Sequence, residues 1–550
     1  MRRFLIGFFL TSLGAAGACV AVYAAPPPAE LPAGLASQDE AVRLRAIDTL
    51  GSRGAKNPEA GPALCTQLKN DSSRIRVHAA AALGQMGSAA RDAAPALEPL
   101  LAETNVHVRR AAVQALHDLH APPDVSIPLF VKMVDDPDAS VSMTAISSLA
   151  EAGKAAVPAL CAALDHEKTA GGACLVLGEI GAAAAPAVPA LMELLQRDPR
   201  AQVQREVVLT LGSIGAAAAP AAPKLISALN HADPAVRLGA VFALGRIGPE
   251  AAAAKPALRK LVNHPSPLLR TLTIWAMARI DPNNKQWSQR AVPLLLDSLG
   301  GKEARVRAVA SRALVDLHPS AETVLPALTR VVDRGGADVL PDVLNVMAGL
   351  GQPAVPALIA TLRYPEARAR VALLLGRLGP QARAAVPALI DLVRGDDTAA
   401  RREALLALGA IGPDAAAAVP AAIEATRDAD LNIRYNACYA LGRIGPAALS
   451  GKPALLRQME SEDPLLTLVG AWALARIDPD CTQTGPKTVP LLIKALADPE
   501  PIVRLEAAMS LRCLGPQAAP ATGTLLKVAQ EDPNDLVRDM AGEALKAMQR

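Results

Sequence analysis

The stretch DPAVRLGAVFALGRIGPEAAAAKPALRKLV, Asp233 to Val262, decides the fold. Asp233 is a good N-cap, and Pro234 fits the first turn that follows it. Val236, Ala240, Ala243, Leu244 and Ile247 recur at helical spacing and share one face. Gly248 is suited to end that helix in the left-handed region. Pro256 then opens a second helix, with Leu258, Leu261 and Val262 as its apolar residues. Neither helix can bury its apolar face alone, so the pair must stack on copies of itself.

The copies are present. Taking the Leu or Met at the place of Leu244 as an anchor, sixteen anchors run from Leu50 to Leu545, the last in an incomplete unit. Most are 33 residues apart, but the spacing drops to 28 after Leu149 and Met347 and rises to 37 after Met277 and Leu474. WAMARIDPNNKQWSQRAVPLLL, from Trp275, is echoed 197 residues later by WALARIDPDCTQTGPKTVPLLI, from Trp472. The irregular spacings recur in the same order. We therefore read a six-unit block at 120–317 and its duplicate at 318–514, preceded by units at 37–119 and closed by a capping unit at 515–550.

The recurring DPxVRxxAxxALGxIG, as at Asp233–Gly248 and with variations at Asp430–Gly445, resembles HEAT repeats, specifically the short phycobilisome-lyase-type kind. The ankyrin TPLHxA is absent although its period is similar. The resemblance implies an all-α, right-handed α-α superhelix of about sixteen helical hairpins, with the first helix of each lining a concave surface. It also implies a structural ladder of Arg and Asp between units. The Arg row, seven residues before the anchor, is Arg43, Arg76, Arg109, Arg237, Arg270, Arg307, Arg368, Arg401, Arg434, Arg504 and Arg538, often with an Asp four or five residues earlier.

Composition agrees with helices. Hydrophobic residues make up 51% of the 550 but aromatics only 2%, so Ala and Leu carry the apolar content. The net charge of +3 falls to +1 without Arg2 and Arg3, which leaves no basic footprint for nucleic acid. Arg2 and Arg3 followed by apolar Phe4 to Val22 read as a signal peptide over 1–24, ahead of a Pro-rich linker at 25–36. The alternatives are a lipid on Cys19 and a retained N-terminal anchor. No other stretch is long and apolar enough to span a bilayer without Pro or charge. The expected location is the bacterial periplasm or cell envelope, where a bridge between Cys481 and Cys513 is permitted.

Two and six residues before the anchor, the first helix turns away from its apolar face. Five of the eight aromatics beyond the leader fall there: Phe242, Trp275, Tyr435, Tyr439 and Trp472. Leu468, Leu505 and Met509 share those rows, and Arg246, Arg279, Arg443 and Arg476 follow two residues after the anchor. Read as outward-facing, these residues form a concave aromatic groove with an Arg rim, richer in the C-terminal half. It suits a protein or peptide partner, with an anionic glycan as the alternative. The competing reading buries the same rings between neighbouring helices.

Nothing in the chain spells catalysis. GxSxG, P-loop, HExxH and GxGxxG are absent. His117 and His120 alone have ligand-like spacing, and no carboxylate pair completes them. HEAT-built deoxyhypusine hydroxylase uses several His-Glu pairs to bind iron, whereas this chain has one, His166-Glu167. The expectation is a non-catalytic exported scaffold without cofactor or metal. The runner-up is a HEAT-like lyase or oxidoreductase-type protein holding a tetrapyrrole or metal.

Overall fold

A computed structural model describes residues 34–53, 59–478 and 485–549. The leader, Cys19 and Cys481 lie outside the described residues, and so does the Cys481–Cys513 bridge. Among the described residues every regular element is a helix. Sixteen first helices stand at the sixteen anchors, from Glu40–Arg53 to Asp535–Met548.

The unit at 233–262 shows why. The Asp233 carboxylate accepts from the backbone N–H of Ala235 at 2.7 Å and of Val236 at 3.1 Å. It caps the helix Pro234–Ile247. Gly248 ends that helix at φ +77°, where a side chain would be strained. The chain then runs as a 3-10 stretch, Gly248–Ala254, before the α-helix Lys255–Leu261. Gly248, Ala251 and Ala254 are buried at intervals of three. That is the period of a 3-10 turn, and small residues let it pack closely. At His120 and His318 a histidine takes the left-handed place, with φ 49° and 45°. Each ring Nδ1 lies against the carbonyl two residues earlier, at 2.7 and 3.0 Å.

The described residues up to Ser298 form one compact body and those from Leu299 another. Within each, a first helix packs on the next first helix, as Ala201–Ile214 does on Pro234–Ile247 and Thr398–Ile411 on Leu431–Ile444. Three runs, Ala170–Arg197, Ala201–Ala228 and Thr398–Ala425, have the length and composition to cross a membrane. Each is broken by a Gly of positive φ (Gly181, Gly215 and Gly412), so none is a single straight helix.

The Arg row staples the units. Eight of its members, including Arg43, Arg237, Arg270 and Arg538, donate through Nη1 to the carbonyl six residues earlier, at 2.6–3.1 Å. Arg368 reaches the Leu362 carbonyl through Nε, Arg401 that of Val393, and Arg434 stands half-buried at the same place. Several also hold a carboxylate of the next unit: Arg76 with Glu103, Arg109 with Asp136, Arg307 with Asp342, Arg401 with Asp428, Arg504 with Asp532. The ladder therefore differs from the expected pairing. The Asp four residues before the row, as at Asp233, Asp397 and Asp430, caps its own helix. Where such an Asp does pair across units, it takes the residue after the row: Asp138 takes Arg110 and Asp233 takes Arg205.

Two outcomes follow from the ladder. Arg504→Ala leaves Asp532 buried without its guanidinium, and we expect a cost of about 3 kcal/mol. The Arg504→Ala, Asp532→Asn double variant should recover part of the lost melting temperature. An unchanged melt in the single variant would show that the ladder adds no stability. The second outcome is acid sensitivity. Hydrogen bonds from Arg110, Arg200 and Arg504 hold Asp138, Asp198 and Asp532 below the ordinary carboxylate value, Asp138 at about 2. Carboxylates depressed in the fold contribute stability above their unfolded value and lose it as pH falls toward the folded one. Melting temperature followed by circular dichroism should be nearly flat from pH 7 to 5 and fall steadily from about pH 4 downward.

Candidate binding face

The face two and six residues before each anchor is where the expected groove residues lie. The structure brings the rings together but turns them inward. Trp275 and Trp472 are each 6% exposed and Tyr435 7%. Phe242 stacks on Trp275 at 5.8 Å between centroids, and Tyr439 on Trp472 at 5.4 Å. The expected open aromatic groove is therefore replaced by two inter-unit stacks. The cause is the glycine after the anchor of the preceding unit. A Cβ on Gly245 would stand 2.4 Å from Cζ3 of Trp275, and one on Gly442 2.4 Å from Cζ3 of Trp472. Gly212 accommodates Phe242 and Gly409 accommodates Tyr439 in the same way. The ring leaves its helix on the open side and folds flat over the gap.

Around Trp472 the fit is completed by charge. The indole Nε1 donates to Glu506 at 3.2 Å, Arg476 donates to the same oxygen at 2.5 Å, and its guanidinium lies 4.7 Å from the ring centroid. Arg476 is thus committed within the fold. Arg279 and Arg443 are half-buried, and Arg246 is exposed. Leu468, Leu505 and Met509 are half-buried. The crevice between Leu468, Trp472, Leu492 and Val503 has room for about one water, not for a ligand side chain. Burial, then a hydrogen bond to Asp463, pushes the Tyr435 hydroxyl well above its ordinary pKa.

Aliphatic residues stay outside where the aromatics do not. Met143, Leu175 and Leu209 are 58%, 50% and 45% exposed, on the first helices of three consecutive units. A Leu is too short to reach the glycine that a ring would cover. The nearest side-chain atom to a Cβ on Gly178 is Oγ of Ser213, not a carbon of Leu209. Met143 was not among the expected groove residues. Side-chain length against the paired glycine is the signal that separates these rows.

The other candidates resolve into structural contacts. His117 Nδ1 lies 3.0 Å from Ser148 Oγ, but that hydroxyl donates to the Thr144 carbonyl at 2.8 Å. The serine is an acceptor for the ring, not a nucleophile activated by it. Glu167 pairs with Arg200. Burial pushes the Cys174 and Cys438 thiols up to about 12, while Cys513 is exposed. Among the described residues no three His, Cys, Asp or Glu side chains gather.

Stacked helical pairs with an Arg staple and an open helix face define a helical-repeat protein. The profile of HEAT repeats matches residues 29–117, 104–171, 222–315, 419–512 and 453–546, together more than half of the chain. The chain belongs to the HEAT-repeat family. No curated protein sequence matches it. Among solved structures it resembles importin beta in an ammonium sulfate condition, at 14% identity and TM-score 0.53, covering 94% of this chain and 82% of that one. It is also similar to Kap121p bound to Pho4p, at 13% identity and TM-score 0.48, covering 94% of this chain and 70% of that one. At 14% identity the likeness to importin beta shows the fold alone.

The ring–glycine contact has a direct test. Trp472→Ala should destabilise the C-terminal body by about 3 kcal/mol, the scale of a truncated buried aromatic. Gly442→Ala should cost about 1–3 kcal/mol by overpacking. Combined with Trp472→Leu, the Gly442→Ala penalty should shrink, because the clashing ring edge is gone. Thermal melts of the double-mutant cycle measure this, and strict additivity would place the ring away from the glycine.

Proposed function

We propose that the chain is a non-catalytic scaffold that holds a protein or peptide partner on the open face of its first helices. The observation that carries this reading is the run of exposed Met143, Leu175 and Leu209 across consecutive units. Scattered apolar residues need no explanation, but a contiguous row rimmed by polar side chains fits a contact surface. The basic start and apolar run of the N-terminus support export to the periplasm or cell envelope of a bacterium. The short unit length supports the phycobilisome-lyase-type kind of HEAT repeat.

Duplication of a six-unit block accounts for matched details in the two bodies. Lys255 bonds Asp281 at 3.0 Å, and Lys452 bonds Asp478 at 2.7 Å, both pairs displaced by the same interval as the two tryptophan stretches. The ring stacks and the left-handed histidines recur at nearly that interval.

The reading is tested by capture from envelope extract, with an absorption spectrum and metal analysis of the purified protein. We expect a protein retained in stoichiometric amount and a spectrum without visible bands. Stoichiometric iron or a bound chromophore would overturn the scaffold reading.

A further inference from the structure

The exposed row has a charge order along its edge. Two residues after the anchors, successive units carry Glu151, Glu179, Ser213 and Arg246. Glu151, Glu179 and Arg246 are exposed. The cations six residues before the anchors do not offset the acids. Arg110 is held by Asp138 and Arg205 by Asp233. His117 stands 4.0 Å from Glu151 and adds a charge only when protonated. The face thus passes from acidic beside Leu175 to basic beside Phe242.

Leu175, Leu209 and Phe242 each stand two residues before successive anchors, with Met143 about one turn away on the helix before them. Leu209 Cδ2 lies 3.9 Å from where a Cβ on Gly239 would stand, and Phe242 lies over Gly212. Successive first helices pack about 9–10 Å apart. A polyproline-type chain advances about 3.1 Å per residue and returns to the same face at every third residue. Three residues of such a chain therefore match one unit, and an apolar side chain at every third residue meets Leu175, Leu209 and Phe242 in turn.

Resting on the scaffold reading, we infer that this face takes a polyproline-type segment of a partner protein, with apolar residues at every third position, basic residues at one end and acidic residues at the other. The basic end lies along Glu151 and Glu179, and the acidic end by Arg246. The apolar side chains supply the burial. The ordered charges set register and direction and suppress partners of the wrong pattern.

The test uses the full chain and labelled synthetic peptides with Leu at every third position. One carries Lys in its first half and Glu in its second. Another has the same composition with Lys and Glu mixed. A third places Leu at helical spacing. Fluorescence anisotropy at low and high salt reads binding. We expect the block peptide to bind at least tenfold more tightly than the mixed one, with the difference shrinking at high salt. Glu151→Lys with Glu179→Lys should weaken the block peptide at least tenfold. Leu175→Asp with Leu209→Asp should abolish binding while leaving the melt unchanged, since both side chains are exposed. Equal binding of block and mixed peptides, preference for helical spacing, or no block-peptide binding at millimolar concentration would each overturn the inference. If the Leu175→Asp, Leu209→Asp variant still captures the partner from extract, the scaffold reading stands on another face and this inference falls. If the wild-type chain captures nothing, the scaffold reading itself falls.

Discussion

Close approach of one first helix to the next, across a glycine, is the constraint on which the rest of the structure depends. The residue after the anchor is Gly in eight of the sixteen units. A Cβ there would meet the backbone of the neighbouring helix: Ala115 Cα at 3.2 Å from Gly84, Ala407 Cα at 3.1 Å from Gly376, Ala473 Cα at 2.9 Å from Gly442. Ala in the facing row completes the fit. This pair of small residues sets how closely those helices approach within each body. It also explains the composition, since a chain built on such contacts has little room for aromatic side chains.

The loops are held by a second device, suited to arginine chemistry. One guanidinium reaches backbone carbonyls of its own loop and a carboxylate of the next, as Arg504 does with Asp498, Pro499 and Asp532. Lysine has no planar fork with which to meet both sets of acceptors. The carbonyls tie the guanidinium to its own unit and the carboxylate ties it to the following one. Burial of apolar faces drives stacking, and the staple sets the angle at which the loops meet.

The repeat was legible because each element carried its own signal. Asp233 read as a cap and caps; Gly248 read as a helix end and takes a positive φ. The 3-10 stretch was written in buried small residues at intervals of three, a period that a search for helices of 3.6 passes over. The candidate face was half legible. Helical angle grouped the aromatic residues into shared rows, but angle alone does not say how far a side chain reaches, and the rings expected in solvent are buried. Trp472 has the length to fold over Gly442, and Leu209 lacks it, so the residues that stay in solvent are the aliphatic ones. Glu506, which binds both Trp472 and Arg476, stands 34 residues from the ring and belongs to no motif around it.

The staples join only near neighbours along the chain. Arg109 to Asp136 spans 27 residues, and Thr210 to the Cys174 carbonyl spans 36, about the length of one unit. Folding such a chain requires no distant segments to find each other, so only loops of about one unit need to be closed. Any pair of adjacent units can serve as the nucleus, and growth proceeds outward from it in both directions. The same locality makes the stack behave mechanically like a chain of coupled springs, in which strain applied to one interface is shared with the next before any of them opens.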